Sequence, residues 1–88
     1  MRLVFTKNAW EDFEYWIEND QELLNKLRSL LNEVRRTPFK GTGKPEPLRG
    51  SLKGCWARSI NQEHRLVYRI TGKADDQSCI ILQCRFHY

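Results

Sequence analysis

An α+β domain of β-α-α-β-β-β order, with a helical hairpin packed on a mainly antiparallel sheet, is the fold class this sequence predicts. Three observations lead there. A leucine stripe of helical period runs from Leu23 to Val34, and the residues after Gly54 fall into extended runs separated by turn signals. A chain of 88 residues, 40% hydrophobic and 11% aromatic, suits one globular domain over residues 1–88.

Residues 1–5 read as a short apolar strand ending at Thr6, a suitable N-cap for a helix over about 7–18. Trp10, Phe13 and Ile17 recur at helical spacing in it and are expected to form its apolar face. Asn19-Asp20 breaks the pattern and caps a second helix that reaches about Arg36, with Leu23, Leu24, Leu27, Leu30, Leu31 and Val34 on one stripe. So short a break makes the two helices an antiparallel hairpin that needs a sheet to cover. Thr37 to Gly50 differs in kind, since it holds all three prolines and three of the five glycines. Pro38 ends the helix, and an ordered loop of this length in so small a domain suggests function. Strands are expected at about 54–60, 63–71 and 78–87, the last two joined by a turn through Gly72 and Asp75-Asp76. Alternation puts Ile80, Leu82, Cys84 and Phe86 on one face of the last strand and Gln83, Arg85 and His87 on the other. In the strand before it, Arg65 and Arg69 lie opposite Leu66, Tyr68 and Ile70. The sheet is thus expected to offer one apolar face to the helices and a polar face presenting Arg65 and His87.

Net charge is +4, and its distribution is informative. Residues 1–36 carry six basic and seven acidic side chains, whereas residues 37–88 carry nine and four. A basic C-terminal half beside a balanced N-terminal half suits a polyanionic partner. No apolar run approaches the ~20 residues of a membrane span, so no membrane role is expected. Met1 to Phe5 runs straight into charged sequence, so no signal peptide is expected and the protein is placed in the cytoplasm. Cys55, Cys79 and Cys84 are odd in number and read as buried free thiols. The C-x-x-H spacing of Cys84 and His87 lacks the four convergent ligands of a structural zinc site, and neither metal nor other cofactor is expected.

Cleaving RNA without a metal needs a base for the ribose 2′-OH, an acid for the departing 5′ oxygen, and a cation for the charge between. Glu46 is a candidate base, pinned between Pro45 and Pro47, whose fixed φ angles restrict it. His87 is a candidate acid, because imidazole titrates near neutrality. Arg65 is a candidate phosphate clamp with a planar fork of donors. Residue types alone also allow a solvated loop acid, a chain-end histidine and a surface arginine.

The stretch RRTPFKGTGKPEPL from Arg35 to Leu48 resembles the signature of the YoeB/Txe toxins, a branch of the RelE superfamily. GCWARSINQEHRLVYRI, from Gly54 to Ile70, is similar to that family's second block. The His87-Tyr88 ending and the early Phe5, Trp10, Asp12, Tyr15 and Trp16 fit it too. The resemblance implies a RelE-like fold and a toxin that cleaves messenger RNA in the A site of the 70S ribosome, silenced by an acidic YefM-type antitoxin. A homodimer is a further state it implies. Glu46 then matches the general base, Arg65 the phosphate-stabilising arginine, His87 the general acid and Tyr88 the tyrosine that helps position the substrate base. Lys44, Arg49, Lys53 and Arg58 are expected to face RNA. Two departures stand out: Ser59 occupies a position where many relatives have a second arginine, and the Gly72–Ser78 turn is longer than usual. A ParE-like toxin that binds gyrase without cutting RNA, and a plain basic RNA-binding module, are the alternatives.

Overall fold

The computed structural model describes residues 1–88. Strand β1 (Arg2–Phe5) leads into helix α1 (Lys7–Asn19), helix α2 (Gln21–Arg36) and four further strands: β2 (Glu46–Pro47), β3 (Trp56–Ser59), β4 (Arg65–Thr71) and β5 (Ser78–Gln83). The sheet order is β1-β5-β4-β3-β2. Neighbours are antiparallel except β1 and β5, which run parallel as the hairpin crossover requires. The expected α+β class therefore stands, as a five-stranded mixed sheet.

Both helix starts are capped by the expected residues. Thr6 Oγ1 accepts from the Ala9 N–H at 3.1 Å, and Asp20 Oδ1 from the Leu23 N–H at 3.0 Å. Leu23, Leu24, Leu27, Leu30, Leu31 and Val34 are all buried against the sheet. Burial of each contributes about 1.5–3 kcal/mol. They join Leu66, Tyr68, Cys79 and Ile81 in the main core.

Helix α1 departs from its expected orientation. Ala9, Asp12 and Trp16 face the core, while Trp10 and Ile17 are about half exposed, at 48% and 50%. Trp10 instead stacks on Phe13 beside Phe5 at the rim. The inward face includes a carboxylate, which disguised it in the sequence: Asp12 Oδ2 accepts the Cys84 N–H at 3.1 Å. Burial holds the Asp12 carboxyl above the usual carboxylate range, against the opposing pull of that N–H and of Arg85.

Strand β2 was not expected. It lies inside the proline-rich loop as a two-residue edge strand, where the missing N–H of Pro47 can be tolerated. The last strand is also shorter than expected and differently phased. Cys79 and Ile81 face the helices, while Leu82 packs on a small cluster of Leu48, Cys55, Ala57 and Val67 on the opposite face. Cause of the change is a bulge: Tyr68 pairs with Ile81 but Val67 with Gln83, so Leu82 is an extra residue. The insertion returns Cys84 to the core side, out of step with Leu82. Burial pushes the Cys79 and Cys84 thiols up to about 12, so both act as apolar filler.

Candidate active site

Sheet pairing brings the sequence candidates to the face away from the helices. Glu46 pairs with Ala57, and Ala57 with Val67, so the three form one row across β2, β3 and β4. Alternation puts Arg65 on this face beside Ser59. Arg65 is braced at one nitrogen. Its Nη1 donates to the carbonyls of Asn61, Gln62 and His64 at 2.7, 3.3 and 3.1 Å, leaving Nη2 and Nε for a ligand.

The C-terminal tail completes the arrangement. Beyond β5 the chain is held by α1: the Trp16 Nε1–H donates to the Cys84 carbonyl at 2.8 Å, opposite the Asp12 bond to its N–H. The Arg85 guanidinium lies 3.5 Å from the centre of the Tyr15 ring and 4.4 Å from that of Phe86. His87 and Tyr88 are exposed, with ring centres 4.8 Å apart and planes tilted by 40°. Tyr88 reaches back across the face, and its hydroxyl donates to Glu46 Oε1 at 2.6 Å. Partial burial, then the bond to Glu46 and its charge, raise the phenol above its ordinary pKa; Arg65 pulls it the other way. The phenol therefore stays protonated at neutral pH. Tyr88 thus links Glu46 of the loop strand, at its hydroxyl, to His87 of the tail, beside its ring, on the face that also carries Arg65.

The cationic candidates divide. Lys44, Arg49 and Lys53 are exposed. Lys44 adopts a left-handed φ of 53° after Gly43, where a Cβ would meet the Ser59 carbonyl oxygen at 2.9 Å. That close approach, sealed by the Ser59 N–H to Gly43 carbonyl bond of 2.7 Å, sets the loop against β3 ahead of Glu46. Lys44 and Arg65 also border a groove of about 790 Å³ beside α2.

Arg58 corrects the expectation that it faces RNA, because it is fully buried. Its guanidinium donates to the Tyr68 hydroxyl at 3.2 Å, to the carbonyls of Thr42 and Lys40 at 3.1 and 2.9 Å, and to that of Thr37. Glu33 Oε1, 3.5 Å from it, accepts the Thr42 N–H and is held below the usual carboxylate range mainly by that bond. Arg58 ties the proline-rich loop down from inside. The signal was available in the sequence, since Trp56, Arg58 and Ile60 share one parity and two of them are apolar. Arg69 is exposed on the outer face of β4, where alternation put it beside Arg65; sequence reasoning missed His64, buried behind Arg65. His64 has the inward parity of Leu66 and Tyr68, which could have revealed it.

A family model for the YoeB-like toxin of bacterial type II toxin-antitoxin systems matches residues 5–88. Toxin YoeB of Escherichia coli strain K12 is 47% identical over 88 residues, covering all of both chains. A solved structure described as a YoeB/ParE toxin from Agrobacterium tumefaciens superposes with a TM-score of 0.95 at 46% identity, over all of both chains. The YoeB-YefM toxin-antitoxin heterotetramer from Staphylococcus aureus matches at 36% identity and a TM-score of 0.86, over all of this chain and 98% of that one. With a family model over residues 5–88, full-length relatives and a fold shared along the entire chain, this chain belongs to the YoeB-like toxins of bacterial type II toxin-antitoxin systems.

Proposed function

We propose that this toxin is a ribosome-dependent endoribonuclease that cuts messenger RNA at A-site codons by acid–base chemistry and so stops translation. The Tyr88 hydroxyl bonded to Glu46, with the His87 ring beside it and Arg65 on the same face, is the observation that carries the reading. Glu46 takes the proton from the ribose 2′-OH, and the 2′ oxygen attacks the adjacent phosphorus. The P–O5′ bond breaks as His87 protonates the leaving oxygen, while the free donors of Arg65 stabilise the phosphorane charge. Substrate displaces the Tyr88 hydroxyl from Glu46, which frees the base and lets the Tyr88 ring pack against a nucleobase. Lys44, Arg49 and Lys53 supply phosphate contacts. No step calls for a metal or other cofactor.

Programmed ribosomes test this reading. Primer extension should place cuts within codons, and the upstream fragments should end in a 2′,3′-cyclic or 3′-phosphate. Ends bearing a 3′-hydroxyl would mean that water attacks, and the mechanism would be wrong. Gyrase-dependent DNA damage with an intact message would support a ParE-like toxin instead.

The partner in this reading is a YefM-type antitoxin with an acidic segment that covers the basic face. The YoeB-YefM assembly of the Staphylococcus aureus relative supports it. Screening at 0.15 M salt acts over ~8 Å, so the association rate of such a segment should fall as ionic strength rises. Stopped-flow kinetics over a salt series checks this; a rate indifferent to salt removes the electrostatic argument. Self-association into a homodimer belongs to the same reading, and the exposed Val4, Trp10 and Ile17 offer apolar surface for it.

A further inference from the structure

The His64 side chain lies behind the site and bonds none of the reacting groups, although its carbonyl accepts from Arg65 Nη1; its ring instead bonds Phe86, the residue that precedes His87 and Tyr88. Phe86 has a φ of 67°, in the left-handed region that strains a residue with a side chain. That turn bends the chain so that His87 and Tyr88 point back toward Glu46. The Phe86 side chain is 55% exposed, so packing alone does not hold it there. Two hydrogen bonds do. Phe86 N–H donates to His64 Nδ1 at 2.8 Å, and the Phe86 carbonyl accepts from the Arg65 N–H at 3.0 Å. Adjacent residues of one strand entrance therefore grip both polar groups of the strained residue. His64 is itself fixed: its ring meets Trp16 edge-on at 4.7 Å, and its N–H and carbonyl bond to Asn61 Oδ1 and the Ile60 N–H. Because Nδ1 accepts, the imidazole proton must sit on Nε2, which lies 3.7 Å from Glu63 Oε1.

We infer that His64 is a positioning residue, whose Nδ1 holds the left-handed turn at Phe86 and thereby places His87 and Tyr88 over Glu46 and Arg65. The assignment deepens the endoribonuclease reading and rests on it for its catalytic meaning. Two variants separate acceptor from packing. His64→Phe keeps an aromatic ring against Trp16 but cannot accept, whereas Asn in His64→Asn places an amide oxygen near the former Nδ1. Amide exchange measured by NMR on the free toxin should show Phe86 N–H protected in the wild type. His64→Phe should lower that protection about tenfold or more, and His64→Asn should retain most of it. Single-turnover cleavage should follow the same order, with His64→Phe slowed about tenfold and ribosome affinity unchanged. Repeated in a His87→Gln background, the His64→Phe effect should shrink, because one of the two groups it positions is gone.

Equal Phe86 exchange in wild type and His64→Phe would overturn the assignment. So would an undiminished His64→Phe effect in the His87→Gln background, which would mark general damage to the fold. A wild type that fails to cut would sink the endoribonuclease reading alone, and the exchange measurement would still decide whether Nδ1 holds the turn.

Discussion

His87→Gln should slow the cleavage step on the ribosome by on the order of 10²–10⁴, the usual worth of a positioned proton donor. The side chain is exposed and makes one polar contact, Nδ1 to the Tyr88 carbonyl at 3.0 Å, so stability should hardly change. Ribosome affinity should also be nearly constant, since the phosphate contacts belong to other residues. Glu46→Gln, which removes the base, should slow the same step by a comparable factor. Single-turnover cleavage with the three proteins measures both effects. A His87→Gln enzyme with near-normal rates would remove His87 as the acid.

Arg58→Met should destabilise the fold by about 3–5 kcal/mol, the range for removing one partner of a buried ionic network. The substitution leaves the carbonyls of Thr37, Lys40 and Thr42 and the Tyr68 hydroxyl short of a donor inside the protein. For a domain of this size the melting temperature should fall by roughly 10 °C or more. Lys44→Ala, at an exposed position, should stay within about 0.5 kcal/mol of wild type. Urea titrations of the three proteins check this, with the midpoint rather than the slope expected to move. If Arg58→Met were as stable as wild type and merely bound RNA less well, Arg58 would be a surface contact after all. Activity lost in the folded fraction is also expected, because Arg58 anchors the loop that presents Glu46.

Loss of Arg58 from the exposed cations sharpens the electrostatic account. Arg69 is the compensating addition: it lies four residues from Arg65 on the same side of β4, with its guanidinium near Gly54. Ser59 pairs with Arg65 across the sheet. Arg65 and Arg69 thus lie on the face floored by Ala57 and Val67, while Lys44, Arg49 and Lys53 are exposed on the preceding segments.

What the sequence determined by itself was whatever local periodicity or local chemistry expresses. Helix α2 was legible because six apolar residues repeat with its own turn, and both N-caps because Thr6 and Asp20 bond within three residues of themselves. The inward side of β4 was legible for the same reason, and its parity put Arg65 and Arg69 outside. The motif residues Glu46, Arg65, His87 and Tyr88 could be named from the chain because each lies in or beside a distinctive run. Their meeting was a different matter. Only tertiary structure decided that Tyr88 reaches Glu46 across 42 residues of sequence, or that Phe86 turns left-handed to send it there. It decided equally that Asp12 belongs inside, because its partner is a backbone N–H 72 residues away. Arg58 was misassigned on the same ground: a guanidinium prefers water until several carbonyls from a distant loop surround it. The phase of β5 turned on a bulge opposite Val67, and a bulge depends on the partner strand, which no alternation pattern within β5 contains.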